Sequence, residues 1–469
     1  MTLVFLLIPL LCIFAINLPK AGIASKMASW LVALAAVTQI ALAASYQLPI
    51  WQPLDNLLKL PAPLGLSIDA ISALMLVVIG IVSCAANAVG FHGDGRKLVN
   101  ARSLVLLLMA GLNGIVLVRD LFSIYIFLEI AAVACFILIA IDREEAALAG
   151  AFKYFILSGI ATFALLVANA LIFLQAGGLS FAAVRQACAD GGPTIWLALV
   201  LYIVAFCVKA GVAPFHGWLP DAHASAPSAV SVLLSGVVIK AAGTYLVIRM
   251  MGEVFVGHPA AGQAFMALGA FSIVLGAFAA IGQRDLKRML AFSSVSQMGY
   301  IVLAAGLGTP LALVGALIHI INHALFKSLL FVNAAAVKEQ TGTVQLAELG
   351  GLAERMRVTG WTSVIGFLSA AGLPPLSGFW SKLLILIALG AAGQWAYLAL
   401  ALLMSLVTLG YFLVMQRNVF FGHLKAGFEQ LSEARASLQG TSLALAGLTT
   451  AFGLLFPFVL VFMQNNGWI

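Results

Sequence analysis

The sequence predicts an all-α polytopic membrane protein with about 14 transmembrane helices. Of its 469 residues, 63% are hydrophobic and only 9% are charged, whereas an ordinary soluble domain has roughly a quarter charged residues. Many of the apolar runs have roughly 20 residues, the length that a helix needs to cross a hydrocarbon layer of about 30 Å. Helices are expected because each backbone polar group in a bilayer must be satisfied within its own segment.

The predicted spans are the apolar runs of the sequence, separated by glycine, proline and charged residues. The first is interpreted as a retained span rather than a signal peptide, because it has no basic start and no small-residue cleavage site. The predicted spans are residues 2–19, 27–45, 66–90, 103–118, 121–141, 148–174, 194–216, 228–250, 262–281, 289–306, 310–336, 358–388, 396–421 and 443–463.

The 24 lysines and arginines outnumber the 17 acidic residues, and the formal net charge of +7 alone would be compatible with a nucleic-acid partner. When the connections are placed on alternate sides of the membrane, fifteen basic residues fall on one side and four on the other. Such an excess marks the cytoplasmic side of a membrane protein. We therefore expect a lipid bilayer rather than nucleic acid as the partner, with both termini on the non-cytoplasmic side.

Proline interrupts two of the predicted spans, at Pro214 in VKAGVAPFHGWLP and at Pro374 and Pro375 in AAGLPPLSGFWSK. Proline removes a backbone donor and obstructs the preceding turn, so both spans are predicted to be discontinuous helices. Matching broken helices in two halves of a chain predict an internal repeat with ion sites at the breaks. The predicted division is three helices in 1–102, two five-helix repeats in 103–250 and 251–421, and a cytoplasmic segment with the last helix in 422–469.

Five lysines fall inside predicted spans, namely Lys153, Lys209, Lys240, Lys327 and Lys382. A charged side chain at the centre of a membrane helix costs roughly 2.5 to 3.5 kcal/mol. Several such residues therefore indicate an interior polar path. Lys153 is a secondary candidate, because it lies near the end of its span and can extend to the interface.

Glu129 is the only carboxylate deep in a predicted span, and Lys209, beside the Pro214 break, is its expected partner. A nearby carboxylate holds the proton of a lysine, whereas a lysine alone in a low dielectric releases it. A pair that opens and closes would make Lys209 a switchable proton store and Glu129 its modulator. The alternative is a static ion pair that orients two helices.

Lys240 lies in SVLLSGVVIKAAGTYLVI, with Ser231 and Ser235 upstream and no acidic residue in its own span. It is too far from either end of the span for its ammonium group to extend comfortably to water. We interpret Lys240 as a proton-relay residue.

His319, His323 and Lys327 recur at every fourth position in HIINHALFKSLLF and so share one face of a helix. Histidine titrates near neutral pH and has two distinct ring nitrogens, so a stripe of histidines with water between them can pass protons. A metal site is the alternative, but no third ligand of a suitable type follows from the sequence. We expect a proton relay and no metal.

Lys382 lies just after the second break, where a terminal proton store is expected. The alternative is a helix cap, in which the lysine binds carbonyl groups that the break leaves free. His216, Asp221 and His223 in the connection after the first break are secondary candidates, which either feed protons or cap the next helix. The five cysteines contain no C-x-x-C pair, so no redox centre is expected in this chain.

Four motifs resemble the antiporter-like subunits of respiratory complex I, a family that also supplies subunits of multi-subunit sodium/proton antiporters and membrane-bound hydrogenases. They are VKAGVAPFHGWLPDAHASAPSAVSVLLSGVVIK, KRMLAFSSVSQMGYIVLA, HIINHALFKSLLF and GLPPLSGFWSK, and the resemblance extends over about residues 65–420. It implies a 14-helix fold with two inverted repeats. It also implies proton-relay roles for Glu129, Lys209, Lys240, His319, His323, Lys327 and Lys382.

The resemblance leaves the parent complex open. The position of Lys382 is lysine in some members and glutamate in others, which favours the lysine-bearing branches and argues against the glutamate-bearing complex I subunit. The long lateral helix of the largest complex I member is not expected. The first hypothesis is a proton-translocating subunit of a redox-driven complex such as an NADH-quinone oxidoreductase or a hydrogenase, with iron–sulfur, flavin or nickel–iron centres in partner subunits. The alternative is a subunit of a sodium/proton antiporter. In both hypotheses the expected location is an energy-transducing membrane, most simply the bacterial inner membrane. In the third hypothesis, the chain is a scaffold whose buried charges only fix the register of its helices.

Overall fold

A computed structural model describes residues 2–18, 21–46 and 65–465 of the chain. Within these ranges the structure is helical, with two isolated β-bridges and no strand. The all-α fold class is therefore confirmed. Two of the basic residues used to predict the orientation, Lys20 and Lys59, lie outside the described residues.

The described part of the chain forms 17 helices. They are α1 (Val4–Asn17), α2 (Ala21–Ala44), α3 (Ala70–Val89), α4 (Gly95–Leu117), α5 (Leu121–Ile139), α6 (Glu145–Ala176), α7 (Phe181–Asp190), α8 (Pro193–Ala210), α9 (Trp218–Ser225), α10 (Ser228–Val254), α11 (Pro259–Ile281), α12 (Leu286–Leu307), α13 (Pro310–Thr341), α14 (Arg357–Ala371), α15 (Ser377–Ala391), α16 (Trp395–Phe421, its last turn π-helical) and α17 (Ala436–Asn465).

Among the described residues, 12 helices are long and apolar enough to span a membrane, and α1 and α15 are shorter apolar helices. The predicted spans coincide with these helices, apart from a few residues at their ends. The long predicted span 358–388 is divided into α14 and α15.

Both predicted breaks are present. The chain leaves α8 at Gly211 (φ +65°) and leaves α14 at Gly372 (φ +87°). Glycine fits this left-handed position after a helix because it has no Cβ to clash with the neighbouring carbonyl oxygen. Each break also contains a cis bond to proline, at Pro214 and at Pro375.

A local pattern occurs twice, 165 residues apart. Asp120 and Asp285 cap the starts of α5 and α12, and each forms an isolated bridge to the chain beyond a 32-residue helix, Asp120 to Ser180 and Asp285 to Gln345. An aspartate at this position satisfies a free N–H group of the first helical turn. The pattern supports an internal repeat, whose boundaries and inverted relation stay predictions.

The chain divides into two compact units. Unit 1 is the described part of Met1–Lys209, Ser225–Leu246 and Glu253–Phe255, and unit 2 is the described part of Ala210–Ala224, Val247–Gly252 and Val256–Ile469. Unit 1 therefore contains Glu129, Lys209 and Lys240. The histidine stripe and Lys382 belong to unit 2.

Buried amides connect the first helices of unit 1. Gln39 on α2 donates to the Leu76 carbonyl at 2.9 Å and to Asn113 Oδ1 at 3.0 Å, and Asn113 donates to the Phe5 carbonyl at 2.8 Å. Because lipid cannot accept hydrogen bonds, a buried amide must find its partners on neighbouring helices. These two side chains thus connect α1, α2, α3 and α4.

In unit 2, α11 and α12 pack backbone to backbone through glycine. Gly262, Gly269 and Gly276 recur every seven residues on α11, opposite Gly299 and Gly306 on α12. A methyl group on Gly299 would lie 2.6 Å from the Gly269 carbonyl oxygen. Small residues permit this close approach, which is how membrane helices gain packing energy without a hydrophobic driving force.

We expect Gly299→Leu to destabilise the protein by about 1–3 kcal/mol or more, because the side chain must push α11 away from α12. Thermal unfolding in detergent measures the change. Gly159→Leu is the matched control, since Gly159 is exposed on α6 and has open space around its Cα. Equal stability of the two variants would contradict the predicted close packing.

Candidate functional site

Lys209 occupies the last turn of α8, directly before the first break. Its side chain is 5% exposed. Nζ donates a hydrogen bond of 2.6 Å to Ser158 Oγ on α6. The break therefore places an ammonium group inside unit 1 with a neutral hydroxyl as its direct partner.

Glu129, on α5, is half-buried and interacts electrostatically with Lys209 and with Tyr154. The direct hydrogen bond of Lys209 goes to Ser158 rather than to Glu129. The two groups of the predicted pair thus lie in one electrostatic neighbourhood of unit 1 without forming a close ion pair. This arrangement leaves the lysine able to respond to changes around the carboxylate.

Lys240 is fully buried in α10. A π-helical turn at Leu234–Val238 precedes it, and a second one begins at Lys240 itself. Its Nζ donates to the Ser235 carbonyl. Single π-helical turns inside α-helices are frequent at functional sites, because they reposition side chains and backbone groups.

Lys327 is the last member of the stripe on α13 and, like the two histidines, is fully buried in unit 2. Nζ donates to Ser293 Oγ and, at 2.9 Å, to the Leu290 carbonyl, both on α12. It also lies 5.6 Å from the centre of the Phe412 ring on α16. The amine is therefore held by neutral oxygen atoms and an aromatic face.

The two histidines of the stripe lie above one another, with ring centres 6.3 Å apart. The ring nitrogens of His319 lie 2.9 Å from Ser381 Oγ and 3.1 Å from Gln297 Oε1. His323 packs against Phe326, 5.1 Å away. Both ring nitrogens of His319 thus have polar partners, the arrangement that a histidine needs to accept a proton on one side and donate it on the other.

Lys382, on α15, is 4% exposed. Nζ donates to the Ala370 and Ala371 carbonyls at 3.0 and 3.1 Å, which are the last carbonyls of α14 before the break. It also lies 4.9 Å from the Tyr300 ring. The contact expected for the helix-cap alternative is therefore present. Ser381, which precedes Lys382 on α15, is also a hydrogen-bond partner of His319.

The secondary candidates lie in different environments. Lys153 is exposed on α6. In unit 2, Asp221 forms a 2.5 Å ion pair with Arg288, and the buried His223 ring stacks on Phe331 at 4.7 Å. His216 is half-buried, 6.0 Å from the Phe292 ring. Asp221 has a clear structural role as the partner of Arg288.

Sequence reasoning missed the residues that hold the lysines and His319, which are Ser158, Ser293, Ser381, Gln297 and Tyr300. A signal existed, since serine and glutamine in LAFSSVSQMGY interrupt an otherwise apolar span. Their partners depend on how the helices are rotated against one another.

An amine that exchanges protons is better matched by neutral oxygen atoms as hydrogen-bond acceptors than by a carboxylate fixed beside it. A hydroxyl or carbonyl oxygen accepts a hydrogen bond from a protonated or a neutral lysine, whereas a carboxylate favours the protonated form. Each unit thus holds buried amines that donate hydrogen bonds to neutral oxygens. These hydrogen bonds are compatible with either protonation state of the lysines.

Comparison with known proteins gives a consistent set of relatives. Residues 118–409 match the family model described as NADH:quinone oxidoreductase/Mrp antiporter, TM. The chain is 35% identical to NADH-quinone oxidoreductase subunit N of Desulforudis audaxviator over 371 residues, which cover 77% of this chain and 74% of the relative. It is 30% identical to an Na(+)/H(+) antiporter subunit of Alkalihalophilus pseudofirmus over 399 residues, 84% of this chain and 81% of the relative.

A solved structure has the same fold. A chain of the Mrp complex from Dietzia sp. DQ12-45-1b superposes with a TM-score of 0.86 at 25% identity, covering 98% of this chain and 95% of the other.

We expect Ser158→Ala to lower the free energy of unfolding by about 1–3 kcal/mol, because the buried Lys209 ammonium loses its hydrogen-bond acceptor. Ser158→Thr retains the hydroxyl and serves as the matched control. Thermal unfolding in detergent compares the two. If the alanine variant were as stable as the threonine variant, the Lys209–Ser158 bond would have no role in holding the lysine.

Proposed function

The chain belongs to the NADH:quinone oxidoreductase/Mrp antiporter transmembrane family, and from this premise we propose that it conducts protons as the antiporter-like subunit of a redox-driven membrane complex. The family includes relatives from NADH-quinone oxidoreductases and from sodium/proton antiporters. The proposal assigns proton transfer to buried lysines, histidines and one glutamate. It assigns redox chemistry, with its iron–sulfur, flavin or nickel–iron centres, to partner subunits in the same membrane.

The observation that supports it best is the surroundings of four buried lysines. Lys209, Lys240, Lys327 and Lys382 donate to serine hydroxyls or backbone carbonyls. Placing each charge at mid-membrane costs roughly 2.5 to 3.5 kcal/mol on insertion scales. A scaffold would recover that cost most fully with fixed carboxylate partners. Neutral partners keep their hydrogen bond to the amine whether the lysine is protonated or neutral.

Glu129 provides the control element in this proposal. Moving the carboxylate's charge relative to Lys209 changes how firmly the lysine holds its proton. A transmembrane potential of 100 mV is worth about 2.3 kcal/mol per charge, and a change of one pKa unit is worth about 1.4 kcal/mol. Modest electrostatic switching at Lys209 is therefore comparable with the work of moving one proton.

The second candidate function is membership of a sodium/proton antiporter. It is favoured by the 84% coverage of this chain in the alignment with the Alkalihalophilus pseudofirmus relative and by the superposition with a chain of the Mrp complex. The same buried relay would then be driven by an existing ion gradient. The basic connections of the chain would face the cytoplasm in either case.

We expect Lys240→Ala to reduce proton translocation to background while the complex still assembles, because the relay loses its buried amine. Lys338→Ala is the control, since Lys338 is exposed at the end of α13. Proton uptake into proteoliposomes, monitored with a pH-sensitive dye, gives the rates. Undiminished translocation in Lys240→Ala would contradict the relay, and loss of assembly without a specific transport defect would support a scaffold.

The parent complex is identified by purifying the native assembly in mild detergent and determining its subunits and metals. The proposal predicts co-purifying subunits with iron–sulfur or nickel–iron centres. Membrane subunits without redox metals, together with sodium-dependent growth complementation, would instead identify an antiporter.

A further inference from the structure

The two hydrogen-bond partners of His319 in unit 2 differ in their chemistry. Nδ1 of the ring is 2.9 Å from Ser381 Oγ on α15, and Nε2 is 3.1 Å from Gln297 Oε1 on α12. All three side chains are fully buried. A serine hydroxyl both donates and accepts, whereas the oxygen of a glutamine amide only accepts and its nitrogen only donates. The two ring nitrogens are therefore not equivalent, and their partners decide which one carries the hydrogen.

The direction of these hydrogen bonds follows from Asn322, three residues after His319 on α13. Its Nδ2 donates at 2.6 Å to the Ser377 carbonyl, and since a carbonyl can only accept, the amide nitrogen must face α15. The second hydrogen of Nδ2 goes to Ser381 Oγ at 3.0 Å. Ser381 is thus an acceptor for Asn322 and still has its own hydrogen to donate.

Two acceptors lie within reach of the Ser381 hydrogen. The nearer is His319 Nδ1 at 2.9 Å, and the other is the Gly378 carbonyl at 3.1 Å. The Gly378 oxygen lies in the first turn of α15, where it accepts a backbone hydrogen bond of the helix and so does not need the hydroxyl. Donation to His319 makes Nδ1 an acceptor and places the ring hydrogen on Nε2, which donates it to Gln297 Oε1.

Gln297 has one side-chain hydrogen bond among the described residues, the one with His319, and its Nε2 has no partner there. Burying an amide costs free energy unless the amide is hydrogen-bonded, so the bond to His319 is what this glutamine gains from its position. If the amide were turned over, Nε2 of Gln297 would face the N–H of the ring, donor against donor. The oxygen must therefore face the ring as long as Nε2 of His319 carries the hydrogen.

We propose that Gln297 is a positioning residue that holds His319 as the Nε2–H tautomer, so that proton exchange takes place at Nδ1, on the side of Ser381. The inference rests on the proposed function, whose relay supplies the proton. Ser381 gives its hydrogen to Nδ1 and takes the proton of the relay on Oγ, so the hydroxyl is unchanged and the ring gains one proton. Nδ1–H then donates to Ser381 Oγ, whose hydrogen turns to the Gly378 carbonyl. Release reverses these steps, and the hydrogen on Nε2 stays with Gln297 throughout.

Nitrogen NMR of the complex with 15N-labelled histidine, in lipid nanodiscs at a pH where the ring is neutral, distinguishes a ring nitrogen with a hydrogen from one without. The His319 signals are identified by their loss in His319→Gln. We expect the hydrogen on Nε2 and none on Nδ1. A ring with its hydrogen on Nδ1 would overturn the proposal.

Gln297→Met removes the acceptor and keeps the length of the side chain. We expect the ratio of the Nε2–H to the Nδ1–H form to fall at least about tenfold, because a buried N–H is left without an acceptor. Gln297→Glu retains an oxygen at this position and should keep the Nε2–H form. An unchanged ratio in Gln297→Met would show that Gln297 does not set the tautomer.

Gln416→Met is the matched control. Gln416 is a second buried glutamine of unit 2, whose Oε1 accepts from Ser363 at 3.1 Å and whose Nε2 has no partner among the described residues. We expect it to leave the His319 tautomer unchanged. An equal shift in Gln416→Met would mean that the tautomer follows general loosening of the core, and would overturn the role of Gln297.

Proton translocation then tests whether exchange occurs at Nδ1. We expect Gln297→Met to lower the rate at least about tenfold, as for a misdirected proton-transfer group, and full translocation despite the altered tautomer would contradict exchange at Nδ1. The tautomer itself is measured without transport. Full activity in Lys240→Ala together with the expected tautomers would therefore reject the proposed function alone, whereas the wrong tautomer beside an inactive Lys240→Ala would reject only this inference.

Discussion

The structure depends on one constraint, that a polar group inside a bilayer must find its partner within the protein. The constraint is most severe for the buried lysines, whose amines cannot be left without an acceptor. Their acceptors come from different helices or from another turn of the same helix: Ser158 on α6, Ser293 on α12 and the carbonyls that end α14. Each amine thus fixes how neighbouring segments are rotated against one another.

The same constraint explains why the breaks and the lysines occur together. A broken helix leaves carbonyl groups without N–H donors, and Lys382 donates to two of them. Lys209 lies in the last turn before the other break, where its neighbours are Ser158 and, at longer range, Glu129. Irregular backbone in a membrane is tolerated where it is buried in protein or lines a cavity, so a break and a polar site stabilise each other.

Much of this could be predicted from the sequence, because hydropathy and proline report directly on membrane spans and helix breaks. The fold class and the positions of the breaks followed from such local signals, and the family followed from four sequence motifs. The partner of Lys327 did not, since Ser293 is distant in sequence and meets the lysine only through helix rotation. The carbonyl partners of Lys382, in contrast, were expected from the helix-cap alternative. The π-helical turns around Lys240 could not be predicted either, because they arise from backbone register rather than composition.

The central claim is that the buried lysines exchange protons during turnover. The alternative is that they keep one protonation state and only hold the helices in register. Nitrogen NMR of the complex with 15N-labelled lysine, in lipid nanodiscs at rest and during turnover, observes the protonation state of each Nζ directly. The account predicts that at least one of Lys209, Lys240, Lys327 and Lys382 changes its protonation state between the two conditions. Four amines that keep a single protonation state throughout would contradict it.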